Sequence, residues 1–317
     1  MSVQAFQHVL VTGGAGYIGS ILVPMLLASG RRVTVLDNFL YRQTSLLDVC
    51  HDPRLTVVRG DVRDEVLVRR LLDSDVDAIL PLACLVGAPA CERWPVEART
   101  INLEAIDLLL RVRRADQWIV FPNTNSGYGI GEEGVECTED SPLRPVSLYG
   151  RLKVEAERKV LAVGRSISLR LATVFGISPR MRLDLLVNDF TWRAVTDRFV
   201  VLFEAHFKRN YIHVRDVARA FLHALDHAGP MEGQAYNVGL SDANLSKMEL
   251  CLAIREQAPE FVILEAPVGR DPDRRNYIVS NAKIEATGYR PCVSLREGIA
   301  ELIKGYQILR RSEFSNV

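Results

Sequence analysis

The sequence predicts an α/β fold in which helices cover both faces of a doubly wound parallel sheet, followed by a smaller C-terminal lobe. Short apolar segments alternate with amphipathic segments through the first half of the 317 residues. The apolar segments are hydrophobic throughout, as is typical of strands that are buried on both faces. Alternation of strand and helix implies right-handed crossovers and parallel pairing. A glycine-rich turn after the first strand points to the same fold.

The composition fits a globular protein with a substantial core. The chain is 48% hydrophobic, and its 39 basic residues balance 39 acidic residues. A net charge of zero gives no electrostatic argument for a nucleic-acid or membrane partner. No apolar run reaches transmembrane length, and residues 1–6 lack the basic and apolar regions of a signal peptide. We therefore expect a cytoplasmic protein that binds neither nucleic acid nor membrane.

The six cysteines lie at positions 50, 84, 91, 137, 251 and 292. They form no Cys-x-x-Cys pair and have no histidines at ligand spacing. Reduced thiols in a reducing compartment are the expected state. No metal site is predicted.

The first strand and the turn after it predict a dinucleotide site. His8–Thr12 is an apolar strand, and Gly13, Gly16 and Gly19 follow at a three-residue spacing before a helix over 18–27. Glycines in this position permit a tight turn and a close approach of the backbone to a pyrophosphate. The start of the helix adds free N–H groups for the phosphates. This is the phosphate-binding pattern of a Rossmann fold.

The second strand, Arg32–Asp37, ends in a carboxylate. At this place in a dinucleotide fold a carboxylate accepts the ribose hydroxyls. The alternative is that Asp37 caps the turn that begins with Asn38. Because a carboxylate repels a 2′-phosphate, the sequence favours NAD over NADP.

The remaining elements of the first half follow in the same alternation. Strands are predicted at 55–61, 77–83, 118–121 and 167–174, and helices at 65–72, 96–114 and 147–163. Beyond Gly176 the elements become shorter and mixed. We therefore expect an NAD-binding unit over 1–176 and a substrate lobe over 177–317, with the helix near 214–227 free to return to the first unit.

Catalytic residues are expected where parallel strands end. Thr124 is the first hydroxyl after the fifth predicted strand, although Thr, Asn and Ser in this position also form local hydroxyl–backbone turns. Tyr149 and Lys153 lie one turn apart on one helix face. A phenol with a pKa of about 10 is a poor base, and a neighbouring cation lowers that pKa. Taken alone the pair could be exposed, but with the glycine turn it predicts a hydride-transfer site.

Together these motifs resemble the extended short-chain dehydrogenase/reductase family, in particular its NAD-dependent nucleotide-sugar epimerases and dehydratases. The resemblance covers nearly the whole chain. Its elements are Gly13-x-x-Gly16-x-x-Gly19, Asp37, Asp61-Val62, Thr124, Tyr128-Gly129, Tyr149-x-x-x-Lys153, Arg209 through Asp216, and Arg270 ahead of Tyr277. It implies NAD as cofactor, a nucleotide-sugar substrate, and a homodimer built from the helices over 96–114 and 147–163.

The resemblance also implies roles for individual residues. The implied catalytic residues are Thr124, Tyr149 and Lys153. The implied cofactor contacts are Gly13, Gly16, Tyr17, Ile18, Gly19, Asp37, Asn38, Asp61, Val62, Leu82, Ala83, Tyr149 and Lys153. The implied substrate contacts are Asn125, Ser126, Asn188, Arg209 and Arg270. The two arginines would pair with the diphosphate, because a guanidinium fork suits phosphate oxygens. Without the family, either arginine would be interpreted as a solvated surface residue.

Two segments, 123–132 and 170–190, are similar to bacterial enzymes that oxidise C4 of a GDP-activated manno-heptose in capsule pathways. This similarity favours a GDP-sugar and a GDP-D-glycero-D-manno-heptose 4-dehydrogenase activity. The chain departs from the wider family at Pro81-Leu-Ala-Cys84, where a histidine commonly precedes the apolar residue. It departs again at Thr173, where many relatives have an asparagine that contacts the sugar nucleotide.

The resemblance implies a 4-keto sugar and NADH as first products, followed by one of three outcomes. A dehydrogenase releases the ketone, a 4-epimerase such as UDP-glucose 4-epimerase returns the hydride to the other face, and a dehydratase eliminates water. Dehydratases carry Asp-Glu where this chain has Asn125-Ser126, and an amide or hydroxyl is a poor acid. Glu132 or Glu133 is the remaining candidate acid. We expect oxidation without loss of water, and release of the ketone in preference to epimerisation.

A non-catalytic NAD(H) sensor is the alternative from another functional class. Such a protein would keep the glycine turn but would have no need for Thr124, Tyr149 and Lys153 together. The combination therefore favours an enzyme.

Overall fold

A computed structural model describes residues 6–132, 134–267 and 275–309. Its strands are β1 His8–Thr12, β2 Arg32–Asp37, β3 Leu55–Arg59, β4 Ala78–Pro81, β5 Trp118–Thr124, β6 Glu136–Cys137, β7 Ser166–Leu171, β8 Thr173–Phe175, β9 Phe199–Leu202, β10 Lys208–His213, β11 Gln234–Val238, β12 Asn244–Ser246, β13 Val262–Glu265 and β14 Ile278–Val279. Its α-helices are α1 Gly19–Ala28, α2 Glu65–Leu72, α3 Ala88–Arg93, α4 Pro95–Arg99, α5 Ala105–Val112, α6 Leu148–Leu161, α7 Leu186–Thr196, α8 Val214–Asp226, α9 Ala228–Met231, α10 Lys247–Arg255, α11 Ala282–Ala286 and α12 Leu295–Gly305. Two 3₁₀ turns, Leu47–Val49 and Asn125–Tyr128, and a π-helical segment, Thr100–Glu104, complete the elements.

The central sheet has seven strands in the order β11-β7-β5-β4-β1-β2-β3. Every neighbouring pair runs parallel. The chain moves outward from β1 through β2 to β3 and then crosses to β4 on the other side. Ligands of doubly wound sheets bind at such a reversal, beyond the carboxyl ends of the strands. The predicted fold class is confirmed, and Gly13 lies directly after β1 at this point.

Helices cover both faces of this sheet. On one face α1 and α8 pack against it through fully buried side chains such as Leu22 and Phe221. On the other face α5 and α6 contribute Leu109 and Ala156 to a second cluster. Burial of one such leucine or phenylalanine contributes about 2 kcal/mol. The sheet between these layers therefore forms a rigid base for the loops at its carboxyl edge.

The second lobe is built from small sheets, β12-β10-β8, β13-β9 and β14-β6. The predicted division at residue 176 does not separate it cleanly. β11 follows that boundary and yet pairs with β7 at the edge of the central sheet. α8 also lies beyond residue 176 and packs against α1. The chain therefore passes from the first unit to the second lobe and back.

Several predicted elements differ in their bounds, and three of these differences bear on the site. The helix predicted over 96–114 is interrupted by the π-helical segment Thr100–Glu104, which places Asn102 against Leu85. The strand predicted over 167–174 is two strands, because β8 leaves the central sheet to pair with β10. β5 is longer than predicted and includes Thr124 as its last residue. Within the described ranges, no helix is both long and apolar enough to cross a membrane.

Candidate active site

The turn after β1 accepts only glycine at its first position. Gly13 has φ +69°, and a Cβ there would lie 2.6 Å from the backbone nitrogen of Ala83. The Gly13 N–H donates to the Leu36 carbonyl at 2.8 Å, which ties the turn to β2. A Cβ on Gly19 would lie 2.6 Å from the carbonyl carbon of Gly14. The bare backbone leaves room for a phosphate at the start of α1.

Asp37, at the end of β2, is only 6% exposed. One carboxylate oxygen accepts the Ala15 N–H at 3.0 Å and the other accepts the Phe39 N–H at 2.8 Å. Burial raises the pKa of this carboxyl, while the two backbone hydrogen bonds oppose the rise. The bond to Phe39 is the turn-capping role that the sequence left open. Asp37 both caps the turn and lines the cleft described next.

Two adjoining pockets at the carboxyl edge of β1, β2 and β4 share Gly13, Gly16 and Leu82 in their walls. Together, here called the cofactor cleft, they are lined by all the predicted cofactor residues. Its walls include Gly13, Gly16, Tyr17, Ile18, Gly19, Asp37, Asn38, Asp61, Val62, Leu82, Ala83, Tyr149 and Lys153. Asp61 is held by Arg63 through two hydrogen bonds of 2.9 and 2.6 Å, and this arginine lowers the pKa of Asp61. The cleft extends from the glycine turn to α6, which carries Tyr149 and Lys153.

Tyr149 and Lys153 lie on α6, whose N-cap Ser147 accepts the Gly150 N–H at 3.1 Å. The Lys153 ammonium is 4.0 Å from the centre of the Phe121 ring and is 4% exposed. Burial lowers the pKa of Lys153. Both side chains line the cofactor cleft.

The expectation that a neighbouring cation lowers the Tyr149 pKa is confirmed for two arginines, although burial outweighs their effect. Burial raises that pKa well above its usual range, because the phenolate would lose its hydration. The cations that oppose this rise are the guanidiniums of Arg182 and Arg275. Burial therefore opposes ionisation of the phenol, and the two arginines favour it.

A second cleft, here called the substrate cleft, adjoins Tyr149 and contains Thr124 and Ser126. The Thr124 hydroxyl accepts the Ser126 N–H at 3.1 Å and lies 2.9 Å from the Ser126 hydroxyl. The local turn that the sequence left open as an alternative is therefore formed. It holds both hydroxyls in the wall of the cleft beside Tyr149.

Sequence reasoning missed two cationic side chains in this wall, Arg182 and Arg275. Asp184 holds the guanidinium of Arg182 at 2.7 Å, and Arg275 donates to the Ser126 hydroxyl. Arg182 lies inside the segment quoted for its resemblance, and Arg275 lies between Arg270 and Tyr277. Both arginines therefore lie within segments that the sequence analysis had singled out. Residue type alone did not distinguish them from the neighbouring arginines.

Asn125 and Asn188, two of the predicted substrate contacts, lie outside these walls. Asn125 is 1% exposed, and its amide has no hydrogen-bond partner among the described residues. Asn188 is fully buried, donates to the Arg182 carbonyl at 2.8 Å, and accepts the Gly176 N–H at 2.9 Å. Asn188 therefore braces the segment that carries Arg182.

Of the two arginines predicted to bind the diphosphate, the structure describes only Arg209. Arg209 is 3% exposed and lies 5.9 Å from the centre of the Tyr277 ring, a ring that lines the substrate cleft. Arg270 lies outside the described residues, as does Glu133, whereas Glu132 is exposed.

The profile of the NAD dependent epimerase/dehydratase family matches residues 9–239. The chain belongs to this family. It is 34% identical over 293 residues to a UDP-glucose 4-epimerase of Lactobacillus helveticus, covering 84% of this chain and 86% of that one. It is 30% identical over 318 residues to a dTDP-glucose 4,6-dehydratase of Streptomyces griseus, covering 94% of each. The crystal structure of the Thermus thermophilus UDP-glucose 4-epimerase in complex with NAD superposes with a TM-score of 0.81 at 29% identity, covering 95% of this chain and 99% of that chain.

The protein is thus an NAD-dependent enzyme of the short-chain dehydrogenase/reductase type, and NAD is its cofactor. The residues present fit that group independently of the comparison. The glycine turn leaves no space for a Cβ at Gly13, and Asp37 presents a buried carboxylate to the cleft. A carboxylate in this position accepts ribose hydroxyls and repels a 2′-phosphate.

Proposed function

We propose that this enzyme oxidises C4 of a nucleotide sugar to a ketone. The observation that carries the proposal is that Tyr149 lines both the cofactor cleft and the substrate cleft, beside Lys153 in one and Thr124 in the other. NAD, when bound, accepts a hydride from a carbon that carries a hydroxyl group. Oxidation of an alcohol requires a base that takes the hydroxyl proton. A nearby cation stabilises that base in its anionic form, and a second hydroxyl orients the alcohol.

The side chains divide this work. As the phenolate, Tyr149 takes the proton from the C4 hydroxyl while the hydride leaves C4, so that the carbon loses two electrons and becomes a ketone. Thr124 orients the reacting hydroxyl. Lys153 stabilises the phenolate electrostatically. Arg182 and Arg275 add positive charge that favours the phenolate, since both lower the pKa of Tyr149.

The composition of the substrate cleft argues against elimination of water. Loss of water across C5 and C6 needs an acid for the departing hydroxyl and a base for the C5 proton. Among the described residues that line this cleft, none is acidic. Ser126 stands where the dehydratases carry a glutamate, and its hydroxyl is held by Arg275. The 4-keto sugar is therefore the expected product.

For the substrate we propose a GDP-sugar, and specifically GDP-D-glycero-D-manno-heptose. The support is the similarity of the segments 123–132 and 170–190 to enzymes that oxidise C4 of a GDP-activated manno-heptose. The second segment carries Arg182, which lines the substrate cleft. A heptose specificity would place the enzyme in the synthesis of capsule polysaccharide.

A nucleotide-sugar 4-epimerase is the second candidate function. It is favoured by the 34% identity to the Lactobacillus helveticus UDP-glucose 4-epimerase. An epimerase uses the same first step and then returns the hydride to the opposite face. We also propose a homodimer through α5 and α6, as the family resemblance implies, which light scattering would test.

Mass spectrometry of products from a panel of GDP-, UDP-, ADP- and dTDP-sugars tests these proposals. A product lighter than its substrate by two hydrogens supports the dehydrogenase, and an unchanged mass with inverted C4 supports the epimerase. A product lighter by one water contradicts the argument from the cleft composition. The nucleotide that yields product identifies the base, and a reaction confined to UDP-sugars would contradict the GDP-heptose proposal.

A further inference from the structure

A buried carboxylate lies behind the active site without reaching either cleft. Glu157 is on α6, one helical turn after Lys153, and is 2% exposed. One of its oxygens accepts the Asn123 amide N–H at 2.6 Å and the Ser168 hydroxyl at 2.5 Å. The other accepts from the Arg170 guanidinium at 2.8 Å. Glu157 is thus fully engaged by the core and unavailable to a substrate.

Asn123 connects Glu157 to the active site through its side-chain amide. It lines both the cofactor cleft and the substrate cleft. Its side-chain oxygen accepts the Thr124 backbone N–H at 2.8 Å, while its NH₂ group donates to Glu157. An amide turned by half a rotation would set its NH₂ against the Thr124 N–H and its oxygen against the carboxylate. Glu157 therefore selects one orientation of Asn123, and that orientation fixes the backbone of Thr124.

Arg170 connects the carboxylate to segments beyond β5 and α6. Its guanidinium also donates to the Tyr128 hydroxyl at 3.0 Å and to the Glu139 carbonyl at 2.9 Å. The Tyr128 hydroxyl donates to Asn237 at 2.7 Å, and Asn237 lies on β11, which follows the excursion through the second lobe. A buried ion pair is a poor way to gain stability, since apolar residues of similar size often serve as well. Its more direct effect here is to hold the end of β5 in one geometry.

We propose that Glu157 is a positioning residue for the oxidation, acting through Asn123 to place the Thr124 hydroxyl against the reacting oxygen. This inference rests on the proposed function. A displacement of about 1 Å in a reacting group can cost on the order of 10² in rate. Loss of the carboxylate should therefore lower kcat and leave the binding of both ligands unchanged.

Three variants test the inference by kcat, by KM for the nucleotide sugar and by the NAD dissociation constant. Glu157→Gln and Asn123→Ala should each lower kcat by about 10²-fold. The double variant should fall no further than the worse single variant, because both act through one chain of contacts. Ser168→Ala is the matched control. It removes a hydrogen bond to the same carboxylate oxygen but leaves the bond to Asn123, and should retain the wild-type kcat.

A wild-type kcat in Glu157→Gln would overturn the inference, as would an equal loss in Ser168→Ala, or additive losses in the double variant. If Glu157→Gln does not fold, Asn123→Ala carries the test with the ion pair intact. Crystal structures of wild type and variant supply a readout without substrate. A rotated Asn123 amide with a displaced Thr124 supports the inference, and an unmoved Thr124 refutes it. A wild type that oxidises no nucleotide sugar would refute the proposed function alone, and the structures would still decide the positioning role.

Discussion

Asp37→Asn is the most sharply defined perturbation of the cofactor cleft. The two carboxylate oxygens accept the N–H groups of Ala15 and Phe39 at 3.0 and 2.8 Å. An amide of the same shape has one acceptor and one donor, so one of these N–H groups must face an NH₂ group. A buried donor left in this way costs about 1–3 kcal/mol. Because both N–H groups are held in the ligand-free protein as well, this cost lowers the stability of the variant and its melting temperature. NAD binding weakens separately, by about 10-fold, because the ribose hydroxyls lose a charged acceptor, and a hydrogen bond to a charged group is about 1 kcal/mol stronger than one to a neutral group.

The assay is calorimetric titration of NAD and NADP into wild type and variant, with thermal melting to separate binding from stability. Asp48→Asn is the matched control, because Asp48 is an exposed aspartate of the same connecting segment and lines neither cleft. The wild type should prefer NAD, and Asp37→Asn should narrow that preference because the charge that repels the 2′-phosphate is lost. Tighter binding of NADP by the wild type, or unchanged NAD binding by the variant, would refute the reasoning.

Three further predictions concern the same clefts. Tyr149→Phe keeps the ring but removes the proton acceptor, so substrate-dependent reduction of NAD should fall by about 10²- to 10⁴-fold. Titration should show unchanged NAD binding. Turnover at the wild-type rate would contradict the role of Tyr149 as the base. Gly13→Ala should abolish NAD binding in the same titration, because its Cβ would lie 2.6 Å from the Ala83 nitrogen at φ +69°; retained binding would mean that the turn can open. Arg275→Gln removes a cation that lowers the Tyr149 pKa, so that pKa should rise and the acid limb of the kcat profile should move to higher pH. An acid limb that stays in place, or moves to lower pH, would contradict the electrostatic role of Arg275.

The cofactor cleft was predictable from sequence because its signals are local. Each signal is a short stretch of sequence: the strand His8–Thr12, the glycine spacing after it, and the carboxylate that ends β2 at Asp37. Gly13 has φ +69°, a backbone conformation that favours glycine, and the Ala83 backbone excludes a Cβ there as well. All the predicted cofactor residues consequently line one cleft.

The second lobe was less predictable because its geometry depends on distant partners. β11 joins the central sheet by pairing with β7, and nothing within Gln234–Val238 specifies that partner. Asn188 matches the type of a substrate contact, yet its hydrogen bonds go to the backbone at Gly176 and Arg182. The pKa of Tyr149 depends on burial and on Arg275, both set by tertiary packing.

The central claim is that a hydride leaves C4 of the sugar and departs on the cofactor. Incubation of the enzyme with NAD and GDP-D-glycero-D-manno-heptose deuterated at C4 tests this directly, with mass spectrometry of both products. We predict reduced cofactor that is heavier by the deuterium, together with an unlabelled 4-keto sugar. Deuterium that remains on the sugar, with the cofactor recovered as unlabelled NAD, would contradict the claim.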